Sequence, residues 1–445
     1  MRIDQSDSTT TDTSLPVDDA SDTAAVEPDA DVCVLGLGHV GLPTALLAAQ
    51  EHTVVGVDID QSRVDAIERG DLPMDEPDID QLYERVAADF SAQTTVADAD
   101  VYVIVTPTPV DAERAVADVS YVEAAAEMIA PTLSPGDLVV LESTVPPGTT
   151  ERLVAPTLET SGLSRSEFRL AFSPERASPG ETLTEMVENS RVVGGIDEES
   201  VDAACAFYDS FVTGAVRRTV PRVAEFVKLV ENTFRDVNIA LANEFALVAE
   251  ELGLDVHEAI DLANEHPRVG IHHPGPGVGG HCIPVDPNFL SQHTTRDRLV
   301  SLARDVNDSM PAHVVQGVED LLDGDTDATV TLLGAAYKGG VGDTRRTPTR
   351  TLVDLLAGLG VDVRLHDPHV DSFPVDPEPL AEAVAGSDCL VLVTDHSEYT
   401  ALDPSELGEV MATKNLYDTR GLLDTPSWEA AGFEVAVLGD GRTQE

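Results

Sequence analysis

The chemistry in this chain centres on one cysteine and one carboxylate. In PGPGVGGHCIPVDP, Pro274 to Pro287, Cys282 stands behind Gly275, Gly277, Gly279 and Gly280 and four residues ahead of Asp286. Glycine lets a ligand approach the backbone closely. So many glycines exclude a helix or a core strand, and the prolines stiffen the loop into a fixed shape. A thiol there is placed to act as a nucleophile, because the thiolate attacks and backbone N–H groups can face what it attacks. Taken alone, the stretch fits a tight turn around a buried free cysteine equally well.

The second constellation is DVCVLGLGHVGLPTALLAA. A strand over Asp31–Leu35 runs into Gly36, Gly38, His39, Val40 and Gly41 in GxGxxG spacing, and a helix follows over Leu42–Ala49. A strand over Thr53–Val57 then ends at Asp58. Glycines in that setting give a tight turn, room for a pyrophosphate at a helix N-terminus and close helix–strand packing. The carboxylate would hold ribose hydroxyls and disfavour a 2′-phosphate, so the expected cofactor is NAD, with Arg63 either on the adenosine side or equally an ordinary helix-face arginine. Two further strands end in turn residues, Val101–Val105 in Thr106–Pro109 and Leu138–Leu141 in ESTVPPGTT. Thr106 and Thr144 are therefore placed as cofactor contacts, although Thr144 would serve equally as a helix cap. A strand over Phe168–Phe172 leads to SPERASPG, where Glu175 is expected either to orient water or substrate or to pair with Arg176.

These groups need elements to hold them. Pro221 to Leu252 reads as one long helix, with proline at its start and no glycine before Gly253. Lys228 and Asn232, four apart, share one face of it. Its apolar residues on several sides predict a spine between domains and a subunit interface. A shorter helix over Asp255–Ala263 precedes the cysteine loop. His266, His272, His273 and His281 surround that loop, but their spacing matches no standard metal set, and no metal is expected. From Thr329 the strand–helix alternation resumes: strands over Thr329–Leu333, Val361–Leu365 and Cys389–Thr394, a short one near Lys414–Tyr417, and a helix from Thr349. Lys338, Arg345 and Arg420 fall at strand-end loops, which points to an anionic ligand such as a diphosphate, although Arg345 next to Arg346 also fits a surface pair. The predicted fold is α/β, two doubly wound Rossmann-like domains joined by a long central helix. Its boundaries are a disordered acidic leader over 1–29, a dinucleotide-binding domain over 30–215, a central region over 216–325 and a nucleotide-binding domain over 326–445.

Composition narrows the setting. Net charge is −54, from 81 acids against 27 bases, so nucleic acid would be repelled. Acid spread along the whole chain reads as adaptation to a salt-rich cytoplasm, where screening makes self-repulsion tolerable. Of the 27 bases only Lys228, Lys338 and Lys414 are lysine. A lysine that survives such depletion is one arginine cannot replace, so at least two of the three are expected in sites. No apolar run has the length of a membrane span, no signal peptide is evident, and Cys33, Cys205, Cys282 and Cys389 lack paired spacing. A cytoplasmic location follows as an expectation.

Together the motifs GLGHVGLP, TPTP, STVPPG, SPER, KLVENTFRDVNIALANE, PGPGVGGHCIPVDP, YKGGVGDTRRTP and YDTRG resemble those of the nucleotide-sugar dehydrogenases, the group that includes UDP-glucose 6-dehydrogenase. The resemblance covers roughly residues 30–440. Val285, where the UDP-glucose and GDP-mannose branches carry lysine, and Pro179, where they carry a second glutamate, make the chain more similar to the branch acting on UDP-N-acetylhexosamines. UDP-N-acetyl-D-mannosamine is then the leading substrate, ahead of UDP-N-acetylglucosamine and UDP-glucose. The resemblance implies a four-electron oxidation of the sugar C6 alcohol to a carboxylate with two NAD. It gives Cys282 the thiohemiacetal and thioester, Asp286 the water-activating base, Lys228 and Asn232 the developing oxyanion, and Glu175 the positioning of water or substrate. Gly279 and Gly280 would let the sugar lie against backbone, and Lys338 and Arg420 would hold the uridine diphosphate. Arg268, and with it Arg345, matches a residue reaching a neighbouring subunit's site, which implies a homodimer or larger homo-oligomer. The rival expectations are a non-catalytic NAD-binding sensor and a two-electron dehydrogenase or epimerase.

Overall fold

The computed structural model describes residues 30–442, apart from 75, 112–115, 178, 179 and 293. The expected leader and Pro179 lie outside the described residues. The first lobe is built on eight strands: β1 (Ala30–Leu35), β2 (Val54–Val57), β3 (Phe90–Gln93), β4 (Ala99–Ile104), β5 (Leu138–Leu141), β6 (Arg169–Phe172), β7 (Arg191–Gly195) and β8 (Val216–Thr219). They lie in the order β8-β7-β6-β5-β4-β1-β2-β3. All pairs are parallel except β6 against β7, so the doubly wound sheet carries one antiparallel step that the sequence pattern did not announce. Beyond charged residues near their starts, the inner strands are apolar because helices cover both faces, and each face has its own buried cluster.

The last lobe repeats the plan with β9 (Thr329–Leu333), β10 (Asp362–His366), β11 (Cys389–Leu392), β12 (Asn415–Asp418) and β13 (Glu434–Val437), all parallel in the order β10-β9-β11-β12-β13. In each sheet the strand order reverses next to the strand that begins it, between β1 and β4 and between β9 and β11. Such reversals open a crevice at the carboxyl ends of the strands, where ligands bind.

Six helices position the site: α1 (Gly41–Ala48) after the first glycine turn, α2 (Pro221–Leu252), α3 (Val256–Asn264), α4 (Asp286–Ser291), α5 (Arg298–Leu321) and α6 (Pro348–Leu359). The long helix α2 has the predicted bounds, starting on Pro221 and closed by Gly253 at φ 65°. A buried glutamate near each of its ends fastens it to one lobe. Glu225 accepts from Gly148 N, from Thr150 N at 2.8 Å and from Thr150 Oγ1 at 2.7 Å, capping the turn after STVPPG. Glu250 accepts from Gly439 N at 2.8 Å in the last lobe and lies 2.8 Å from His313 on α5. Between them, Asp236 pairs with Arg304 and accepts from Asn307 Nδ2 at 2.9 Å. Asn243 joins Asn307 at 2.9 Å and accepts from Gly275 N at 2.9 Å. The cysteine loop is thus stitched to both long helices.

Candidate active site

Cys282 sits exposed on the loop between α3 and α4, and Asp286 begins α4 one turn later, its N–H donating to Cys282 O at 2.9 Å. The Asp286 carboxylate is buried and takes a 2.5 Å hydrogen bond from Asn232 Nδ2 on α2. Burial raises its pKa to about 6, against the lowering pull of Lys228 and of the Asn232 bond. The crowding around Cys282 also raises its thiol pKa, and Asp286 adds to that, while Lys228 and Arg345 draw it down. Thiol, carboxylate, amide and ammonium therefore share one electrostatic neighbourhood, drawn from two elements 54 residues apart. Val285, between them in sequence, is buried with Leu229 and Phe289 as an apolar floor.

The cofactor side is equally well formed. Gly36 has φ 99°, and a Cβ there would lie 2.4 Å from Val105 O; one at Gly41 would lie 1.8 Å from Gly36 O. A Cβ at Gly38 would meet nothing nearer than Arg63 at 3.8 Å, so this side of the turn is open to a ligand. Asp58 accepts from Leu37 N at 3.0 Å and from Asp60 N at 3.0 Å, with Arg63 3.7 Å away. Across the crevice Thr106 Oγ1 is buried without a partner among the described residues, a hydroxyl in want of one. Thr144 caps no helix; its carbonyl accepts from Thr108 Oγ1 at 2.7 Å. An open turn, a carboxylate at the end of the next strand and an orphaned hydroxyl fit NAD, which Gly36, Gly38, Gly41, Asp58 and Thr106 would hold. His39 and Val40 complete that turn. His39 has its pKa lowered by burial and by Arg345, as does His281 of the cysteine loop, so the two lobes meet here.

On the nucleotide side, the Gly334 turn at φ 109° leads to Tyr337 and the exposed Lys338. Asp367, at the end of β10, accepts from Ala335 N at 2.6 Å, Ala336 N at 3.0 Å and His369 N at 2.7 Å. It also lies 3.0 Å from His396 Nε2, and Gly340 N donates to His396 Nδ1 at 3.1 Å. Gly339 N donates to Asp395 at 3.1 Å. Both ends of the Lys338 turn are therefore held by one buried Asp–His pair. His369, His396 and Glu398 come together as a metal site would, but both nitrogens of His396 are already engaged in this clamp. Arg420 lies part-buried over the cysteine loop: its Nε donates to Val393 O at 2.9 Å, and a Cβ on Gly275 would meet its guanidinium at 2.8 Å.

Several expected residues sit differently from the sequence reading. Glu175 is not the partner of Arg176, which pairs with Glu231 on α2 at 2.6 Å. Glu175 pairs with Arg191 at 2.6 Å and accepts from Arg176 N and Ala177 N, so both its oxygens are occupied in a buried anchor. A Cβ at Gly279 would lie 2.5 Å from Tyr337 Cβ, and Gly280, at φ 87°, has the Tyr337 ring 3.1 Å from where its Cβ would be, so close approach of the last lobe already favours glycine at both. Arg345 is held at 2.6 Å by Asp343, with its field reaching Cys282. Arg268 is exposed beyond α3, with only its backbone bonded, to His266. Lys414 is structural, bonding Ala431 O at 2.9 Å. Sequence reasoning missed Arg191, which lies between Glu175 and Glu142 (3.0 Å) and 4.3 Å above the Tyr208 ring. It also missed Glu225, although an acid among Pro221, Ala224 and Leu229 at the start of the helix was a visible signal.

Models of the family's three domains match the chain in succession: the NAD binding domain over 30–212, the central domain over 222–309 and the UDP binding domain over 331–425. The chain belongs to the UDP-glucose/GDP-mannose dehydrogenase family. It is an NAD-dependent nucleotide-sugar dehydrogenase. It is 43% identical to the UDP-N-acetyl-D-mannosamine dehydrogenase of Methanocaldococcus jannaschii, over 92% of this chain and 97% of that one. The solved UDP-D-ManNAc dehydrogenase of Pyrococcus horikoshii superposes with a TM-score of 0.87 at 39% identity, covering 92% and 99% of the two chains. The UDP-glucose dehydrogenase of Pyrobaculum islandicum follows at 0.79 and 28%, covering 90% and 98%. Among the described residues no helix of this family member is long and apolar enough to cross a membrane.

Proposed function

We propose that this enzyme oxidises the C6 hydroxyl of UDP-N-acetyl-D-mannosamine to the carboxylate in two steps on one thiol. The observation that carries the reading is the Cys282–Asp286–Asn232–Lys228 constellation at the junction of the two crevices. Bound NAD supplies the hydride acceptor for each oxidation. Lys228, a compact charge, stabilises the C6 oxygen as it becomes anionic. Cys282 adds to the C6 aldehyde through sulfur, and its proton leaves to a base. The adduct loses a hydride to become a thioester, and water opens it to carboxylate and free thiol. Asp286, ionised above about pH 6, takes the water proton. Asn232 fixes that carboxylate, and Glu175 keeps the neighbouring loop in place through Arg191. Lys338 and Arg420 would hold the diphosphate.

The N-acetylmannosamine assignment is supported by the relatives named above and by Val285, whose burial in the apolar floor leaves no charged group at the position where the UDP-glucose branch carries lysine. The exposed apolar stripe on α2, including Val223, Phe226, Val230, Phe234 and Leu241, supports a homodimer seam that would carry Arg268 to the partner's site. Light scattering on the purified protein reads that state, and a monomer would remove Arg268 from the account. The catalytic test is NADH yield in high salt with UDP-N-acetyl-D-mannosamine, UDP-N-acetylglucosamine and UDP-glucose. Two NADH per sugar, fastest on the first, is expected, with acid formation abolished in Cys282→Ala. One NADH per sugar, or an active Cys282→Ala, would sink the thiol mechanism; faster UDP-glucose turnover would sink the substrate assignment.

A further inference from the structure

A cavity of about 480 Å³ opens behind the cysteine loop. Gly277, Val278 and Pro284 form one wall, α5 contributes Arg304, Asn307 and Asp308, and the start of α6 contributes Arg346, Thr347 and Arg350. It contains none of the residues placed at the thiol, cofactor or diphosphate sites, so it is a separate space. Its charge runs against the rest of the molecule. Acids outnumber bases threefold along the chain, 81 to 27, whereas this cavity has three arginines and one aspartate. Arg304 is neutralised by Asp236 and Asp308. Arg346 and Arg350 make no ion pair among the described residues, and Arg350 rests its guanidinium 5.2 Å from the Phe373 ring. Arg346 also holds a left-handed backbone, φ 50°, which is uncommon outside glycine and recurs where a local shape is functionally fixed. The twelve-residue helix α6 starts at the same place, and its N-terminal dipole adds positive potential.

We infer that this cavity is a second anion site that takes a diphosphate-bearing small molecule, gripped by the forked guanidinium groups of Arg346 and Arg350. Two arginines lining one space can serve adjacent phosphates, and the volume is in the range of small-ligand pockets. The site shares a wall with the loop that carries Cys282, so its occupant would stiffen that loop from behind.

The test uses inorganic pyrophosphate as the probe, on the enzyme held saturated with NAD and UDP, at constant ionic strength set with potassium chloride. Wild-type protein should show a saturable rise in thermal midpoint. The rise should be lost in R346Q/R350Q and reduced in R350Q, while both variants keep wild-type NADH production without the probe. The single variant serves if the double fails to fold. A rise of equal size in R346Q/R350Q, no rise in wild type, or a rise abolished by Lys338→Met would overturn the inference; the last would place the probe in the diphosphate site of the proposed function.

Discussion

The two lobes solve the same structural problem with one device and use it differently. In each, a strand ends in a glycine at positive φ, and a carboxylate from the end of the next strand accepts the N–H groups of the turn: Gly36 with Asp58, and Gly334 with Asp367. In the first lobe α1 follows at once, packed so tightly that Gly41 has no room for a Cβ, and Asp58 remains partly open beside Arg63. In the last lobe α6 is delayed until Pro348, and the intervening loop carries Tyr337, Lys338 and Arg345. Asp367 is buried there and saturated by three N–H groups and His396. One carboxylate keeps open space beside it, and the other is consumed in shaping a loop. The same turn thus serves recognition where it is short and open, and scaffolding where it is long and closed.

The largest effect should arise where the two turns converge. Asp286→Asn should cut turnover by about 10²–10⁴, the usual range for a positioned base. It should also erase a rise in rate through about pH 6 in the parent enzyme. Because the folded carboxyl prefers its proton, ionising it costs stability as pH climbs from about 4 to about 6. Removing the charge should leave the folding free energy unchanged or more favourable, by up to roughly 3 kcal/mol at neutral pH, with the thermal midpoint unchanged or raised. A lower midpoint would mean that the Asn232 bond outweighs burial.

The next effect separates the two carboxylates. Burial works to raise the Asp367 pKa, but His396 and the turn N–H groups prevail and hold it at about 2. Its contribution, about 2 kcal/mol, is present above pH 4 and lost as pH falls through 2. Asp367→Asn should therefore lower thermal stability by at least that much, with no selective change in cofactor affinity. Asp58→Asn should do the reverse: stability within about 0.5 kcal/mol of the parent, and KM for NAD raised roughly 10-fold to 100-fold by the lost charge-assisted ribose contact. Equal stability losses in both would collapse the distinction between them. The smallest effect is His396→Gln, which should raise KM for the nucleotide sugar about tenfold, one buried hydrogen bond, and leave KM for NAD unchanged.

The elements with a single period were legible from sequence. Apart from β3, β7, β8 and β13, whose four or five residues include polar side chains or glycine, the strands of both sheets could be read from their apolar runs, and so could the whole of α2, which Pro221 and Gly253 punctuate. The 24-residue α5 was not, because Asn307, Asp308, Pro311 and Gly317 break the pattern, although Asn307 and Gly317 are buried in contacts a helix alone would not need. The catalytic loop announced itself by its glycines, but what they face did not: Tyr337 against Gly280 is a contact between lobes, invisible to local spacing. Arg191 was hidden for the same reason, since it meets Glu142 49 residues away in chain but adjacent in space.

The two glutamates that tie α2 to its lobes, Glu225 and Glu250, stand 25 residues apart on one continuous helix, roughly 37 Å along its axis. Their mutual bearing is a matter of residue count, not of side-chain identity. A single inserted residue between them would swing one anchor about 100° around the rod and lengthen it by about 1.5 Å. Exchange of an exposed polar residue such as Glu244 leaves the bearing untouched. This span should accept many spellings but only one length: an alanine inserted after Glu244 should silence the enzyme, whereas Glu244→Ala should not.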